Sequence, residues 1–142
     1  MSIWKKDFTI ESLNEKCKET ASESLGIVIT KVGENFIEGE MPVDRRTKQP
    51  AGLLHGGASV LLAETLGSIG GALAVDKNFS IVGLEINANH VGGAKEGYVV
   101  GTATAVHIGR TTHVWEIKIN HKETNKAICI SRITLAVIEL KK

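Results

Sequence analysis

The chain has 142 residues, of which 42% are hydrophobic and 23% charged, and its formal net charge is +1. That length can bury a core without disulfides or a structural metal, and that composition excludes a disordered chain. Basic residues are scattered, and those at the ends (Lys5, Lys6, Lys141 and Lys142) read as solvated, so no basic field points to nucleic acid or an acidic membrane.

One domain over residues 1–142 is expected. The N-terminal stretch has no continuous apolar run of the signal-peptide kind. Cys17 and Cys129 lack metal-ligand spacing and read as plain thiols, which fits a reducing, cytoplasmic setting.

Residues 9–24 predict the first helix. Thr9 suits an N-cap with Glu11 in the first turn, while Ser12 and Glu15 have capping-box spacing and offer a later start. Gly26 breaks the pattern. Residues 27–32 and 35–41 predict two short strands joined around Gly33 and Glu34. A polar loop, PVDRRTKQPAG, leads to a helix from about His55 to Val75, favoured by its length and its Ala and Leu content. Four strands then follow, at 81–91, 98–108, 111–121 and 127–140. In the first of them, Val82, Leu84, Ile86 and Ala88 are expected on one face, with Glu85, Asn87 and Asn89 on the other. Trp115 and Phe36 read as core. His107, His113 and His121 read as structural or exposed rather than catalytic.

One dominating apolar helix among antiparallel strands predicts an α+β fold, a sheet wrapped around that helix. Gly67, Gly70 and Gly71 thin the helix at about 1 kcal/mol each relative to Ala, a cost that close backbone approach would offset. Residues 53–75 come near the length of a membrane span, but Glu64, His55 and the glycines argue against one. A charge at the bilayer centre costs at least about 2.5 kcal/mol.

Glu64 stands within AGLLHGGASVLLAETLGSIGG, where almost every neighbour is apolar or small. A lone ionised carboxylate buried there would cost several kcal/mol, a cost usually found where function requires it. Ser68 lies one turn further along the same face. At the helix start, His55, Gly56 and Gly57 offer unsatisfied N–H groups and room for a close ligand, a plausible oxyanion site or a simple cap. Gly56 and Glu64 are about 12 Å apart along a helix axis, too far to meet at one carbonyl within one chain. Two chains with neighbouring antiparallel helices would bring them together, so an obligate dimer with shared sites is expected.

The run from Gln49 through Pro50, Leu54, His55, Gly56 and Gly57 to Glu64 resembles the signature of hotdog-fold thioesterases of the PaaI type. More narrowly, it is similar to the 1,4-dihydroxy-2-naphthoyl-CoA hydrolases and the enterobactin-pathway proofreading thioesterases. The likeness continues through IWKKDFTIESLN, MPVDRRT, GLEINANHV, GRTTHVWEI and SRITLAVIEL. It implies a hotdog fold, dimers that commonly assemble into tetramers, and hydrolysis of (hydroxy)aromatic acyl-CoA or acyl-carrier-protein thioesters.

By resemblance, Glu64 is the catalytic carboxylate, as nucleophile or as general base, and the Gly56 N–H polarises the thioester carbonyl. His55 and Gln49 position thioester and water, and Ser68 is a polar neighbour of the attacking group. Coenzyme A contacts fall at Gly83, His90, Val91, Gly92, Gly93, His107, Gly109, Arg110 and Thr111, with Arg110 suited to a phosphate. No metal and no cofactor are implied, coenzyme A being part of the substrate. Gly92 departs from close relatives, where arginine is frequent, and Lys95 is the candidate replacement for that charge. The rival readings are a broad aliphatic acyl-CoA thioesterase and a non-catalytic acyl-CoA-binding module of the same fold.

Overall fold

The computed structural model describes residues 1–141, so Lys142 lies outside the described residues. Thr9 caps the first helix. Its hydroxyl accepts from the Ser12 N–H and the Ser12 hydroxyl accepts from the Thr9 N–H, each at 2.9 Å. The start at Ser12 is therefore not used. The helix expected over residues 9–24 is two helices, α1 (Ile10–Lys16) and α2 (Ala21–Ser24). Between them Glu19 adopts φ 60, a left-handed conformation that a right-handed helix cannot contain. Asn14 fastens α1 to the next strand, its amide donating to the Ile29 carbonyl at 3.0 Å and accepting the Ile29 N–H at 2.8 Å.

The strands are β1 (Val28–Val32), β2 (Phe36–Pro42), β3 (Phe79–His90), β4 (Tyr98–Ile108), β5 (Thr112–His121) and β6 (Ala127–Glu139). They form one antiparallel sheet in the order β1-β2-β4-β5-β6-β3. The long helix α3 (Gly56–Leu73) lies against β2 through β6, the α+β hotdog arrangement expected from the element order and the resemblance. Close approach does offset the glycines: a Cβ on Gly70 would stand 2.8 Å from the Trp115 ring, and one on Gly67 2.7 Å from an Ile133 methyl.

Trp115 is fully buried, as expected, and Trp4 stacks on it with ring centroids 6.1 Å apart. The Trp4 indole N–H donates to the Gly33 carbonyl at 2.7 Å, which ties the N-terminal strap across the end of the hairpin. Phe36 is not core. It is half-buried near the sheet edge, with the Lys31 ammonium 5.6 Å from its ring centroid.

Strand β3 departs from strict alternation. A bulge between Gly83 and Glu85 shifts the register against β6. Before the bulge Val82 pairs with Ala136, and after it Glu85 pairs with Thr134, so Val82 shares the outer face with Glu85 and Asn87. Leu84, the bulged residue, is 60% exposed. The expected apolar face of Val82, Leu84, Ile86 and Ala88 is therefore replaced by Ile81, Gly83, Ile86 and Ala88. β3 also closes one edge of the sheet, and its free side is unpaired among the described residues. No helix among the described residues is long and apolar enough to cross a membrane.

His113 is buried on β5, where its Nδ1 accepts from the Trp115 indole N–H at 3.4 Å. Burial is the main cause that holds its pKa below the ordinary histidine value, and the charges of His107 and Lys5 add to it. The unfolded chain takes up this proton near pH 6.5 and the folded chain only at lower pH. The stabilisation from a neutral His113 is thus complete above about pH 6.5 and is lost as pH falls below it. Urea midpoints at pH 8 and pH 5.5 should show a loss at the lower pH that is smaller in His113→Asn.

Candidate active site

His55 ends the polar loop and caps α3. Its backbone N–H donates to the Thr47 carbonyl at 2.7 Å, and its Nδ1 accepts the Gly57 N–H at 2.8 Å. The cap reading of His55 holds in this geometry. The Gly57 N–H is thereby used, whereas the Gly56 N–H finds no acceptor among the described residues. Gly56 is packed against His90 from the end of β3: a Cβ there would lie 2.9 Å from the His90 Nε2. Space at the helix tip is thus limited to backbone.

Gln49 sits in the turn that precedes the tip. Its N–H donates to the Leu53 carbonyl at 2.8 Å, its side-chain oxygen accepts from the Ala51 N–H, and Gly52 takes φ 84 to close the turn. The side-chain NH2 of Gln49 is left to donate elsewhere. The Leu54 N–H donates to the Ala94 carbonyl at 2.8 Å, which joins the tip to the segment after β3. There Gly93 faces the Leu53 side chain, and the Val91 N–H donates to the Ile128 carbonyl at 2.9 Å. At Gly92 a Cβ would fall on the Ala127 carbonyl oxygen, so this backbone has no room for a side chain.

Glu64 lies two turns into α3. In the protomer it is exposed, and it forms no ion pair among the described residues. The expected burial is not found, and the reason is the orientation of α3. The sheet covers Leu62, Ala63, Leu66 and Gly70, and turns the Leu61, Glu64 and Ser68 side of the helix outwards. Glu64 stands on a ridge between two clefts and is the one residue that lines both. One cleft, of about 210 Å³, is bounded by Gly83, Leu84 and Ile86 of the free strand edge. The Glu64 Oε2 is 3.2 Å from where a Cβ on Gly83 would be. The other cleft lies between α3 and the α1–α2 pair, and Ser68 shares it.

The third group of expected residues lies at the far end of α3. The Gly109 N–H donates to the Thr112 carbonyl at 2.8 Å and makes the turn that presents Arg110 and Thr111 to solvent. His107 is exposed and leans over Gly109, with its Nε2 2.6 Å from a Cβ position there. Gly109 and Arg110 border a cavity of about 330 Å³ with Lys5, Phe79 and His113. Asp76 borders it too and pairs with Lys5 at 3.7 Å, which leaves Arg110 as the cation at its rim with no ion pair among the described residues. Lys5 carries no signal in the sequence, because an N-terminal lysine looks like any solvated one.

Within one protomer these residues form three clusters: Gly56 with His90, Glu64 with Gly83 and Ser68, and Arg110 with Gly109. The chemistry available is a carboxylate, a free amide donor and an exposed arginine, held at successive stations along one helix. No group of His, Cys, Asp and Glu among the described residues has the arrangement of a metal site.

The comparisons agree with this architecture. The model of the thioesterase superfamily matches residues 51–128. A crystal structure of a thioesterase from Haemophilus influenzae superposes with a TM-score of 0.96 at 50% identity, covering 99% of this chain and 97% of that one. A mutant (Q49A) thioesterase from Pseudomonas aeruginosa gives 0.94 at 46% identity, over 98% and 100% of the two chains. The 1,4-dihydroxy-2-naphthoyl-CoA hydrolase of Escherichia coli K12 is 46% identical over 136 residues, 96% of this chain and 99% of that protein.

Proposed function

The chain belongs to the thioesterase superfamily and is a thioester hydrolase, and from that premise we propose that it acts on aromatic and hydroxyaromatic acyl-CoA esters. Glu64 is the catalytic carboxylate, and the Gly56 N–H of the partner subunit polarises the thioester carbonyl. The observation that carries this reading is the position of Glu64: an ionisable side chain on an exposed ridge, beside an unpaired strand edge, on a helix whose tip carries a free N–H.

The geometry supports one dimer in particular. A twofold axis that sets Gly56 against the partner's Glu64 must cross α3 near Val60. Gly56 lies against His90 and Glu64 against Gly83, so the same axis meets β3 near Ile86 and Asn87. That point lies on the free edge, where two copies of β3 would pair antiparallel and cover Val82 and Leu84. The partner's Arg110 cluster then lies beyond the helix tip, on the side of His90 and Gly93, where the coenzyme would leave the site. Pairing of such dimers gives the tetramer.

Hydrolysis proceeds by attack on the carbonyl carbon, with negative charge gathering on the carbonyl oxygen at the Gly56 N–H. Glu64 either takes the proton of the attacking water or attacks first and is freed by water. In both routes the C–S bond breaks, the carboxylic acid leaves on one side and the thiol on the other. No metal or cofactor enters either route, and the reaction suits a cytoplasmic enzyme.

A steady-state panel of naphthoyl, benzoyl, phenylacetyl and medium-chain aliphatic CoA esters tests the substrate class. The aromatic esters should give the highest kcat/KM. A ranking led by the aliphatic esters would assign the chain to general acyl-CoA turnover instead.

A further inference from the structure

The cleft between α3 and the α1–α2 pair is about 470 Å³ in volume, a size typical of small-molecule sites. Its walls are mostly apolar: Leu13 of α1 and Cys17, the residue after it, face Leu61 and Ile69 from α3, with the exposed Lys16 and Thr20 also in the lining. Glu64 and Ser68 stand at one side of it. A carbonyl carbon held at Glu64 has two substituents to place besides its oxygen, and Glu64 borders two clefts. In the dimer proposed above the strand-edge cleft opens towards the partner, which suits the thiol half. The α1–α2 cleft is left for the acyl half.

A hydroxyl pair lies within this wall. The hydroxyls of Ser22, on α2, and Thr65, on α3, lie 3.1 Å apart. Ser22 is buried. Between them they hold two hydroxyl hydrogens, and the bond they share uses one. Neither hydroxyl has another partner among the described residues. The pair therefore keeps one donor and spare acceptor capacity, and both residues line the cleft.

Building on the thioesterase reading above, we propose that the α1–α2 cleft is the acyl chamber and that the Ser22–Thr65 pair recognises a hydroxyl substituent on an aromatic acyl group. The pair sits one helical position from Glu64, so selection for the hydroxyl acts on the same substrate that the carboxylate attacks. A chamber roofed by α1 and α2 also gives those two short helices a role beyond covering the core.

The test compares hydroxylated aroyl-CoA esters with their unsubstituted parents: the three hydroxybenzoyl esters against benzoyl, and 1,4-dihydroxy-2-naphthoyl against 2-naphthoyl. In Ser22→Ala/Thr65→Val the kcat/KM ratio of at least one hydroxylated ester to its parent should fall about five- to tenfold relative to wild type. Ratios unchanged for every pair would overturn the role of the hydroxyls. Cys17→Phe fills the chamber from one wall and Leu61→Phe from the other, with melting temperature as the check on folding. Each should lower kcat/KM for naphthoyl-CoA at least about tenfold more than for acetyl-CoA. If both variants fold and treat the two esters alike, the chamber lies elsewhere. A wild type inert towards every ester overturns the functional reading and this proposal with it, whereas an active wild type with unresponsive variants overturns this proposal alone.

Discussion

Glu64→Ala should lower turnover of benzoyl-CoA by about 10²- to 10⁴-fold while the melting temperature stays within about 2 °C of wild type. The two halves of this expectation have separate causes. Stability is spared because Glu64 is exposed in the protomer, has no ion-pair partner among the described residues and contributes nothing to the packed face of α3. Alanine is also the better helix former. Activity is lost because the other carboxylate that borders the strand-edge cleft among the described residues, Glu85, is carried by β3 on its outer face with Thr134 and not by α3. Glu64→Gln keeps the shape and should lose activity to a similar degree. A folded Glu64→Ala enzyme with wild-type turnover would remove Glu64 from the mechanism, and a collapse in melting temperature would recast it as a structural residue.

The order of elements was readable because each is long and strongly patterned: α3 by length and composition, β4 through β6 by alternation. Three features were not readable, and each is set by contacts remote in sequence. Glu19 is an ordinary helix former, and only the packing of α1 on β1 and α2 on α3 breaks the helix there. The bulge at Leu84 is a property of how β3 registers on β6, so the alternation of β3 alone points to the wrong face for Val82. Glu64 appears buried because its sequence neighbours are apolar, but neighbours on a helix diverge by about 100° each. Its flanking residue Ala63 meets the sheet while Glu64 does not. The apolar character that surrounds Glu64 in space comes from the cleft walls and the free edge of β3. The start of α3 at Gly56 was legible from the glycines that follow His55. Their pairing with His90 was not, since it depends on where a strand beginning at Phe79 ends.

If each active site joins the helix tip of one protomer to the carboxylate of its partner, two inactive variants should restore one another. Glu64→Ala supplies the first. Gly56→Pro supplies the second, because Gly56 is the first residue of α3. Proline is tolerated at that position and removes the N–H. His55 already has the extended φ −69 and ψ 131 that a following proline requires. The Cβ of the new ring would meet the exposed His90 side chain at its nearest contacts. Alone, Gly56→Pro should fold and lose about 10²- to 10³-fold in kcat, the usual effect of removing one oxyanion donor. In a mixed dimer one site carries both defects and the other neither. After unfolding and refolding a 1:1 mixture, half of the dimers are mixed and each holds one intact site of two, so about a quarter of wild-type activity should return. If Glu64 and Gly56 served the same carbonyl from within one protomer, no dimer in the mixture would hold an intact site, and the rate would remain the average of the two variants.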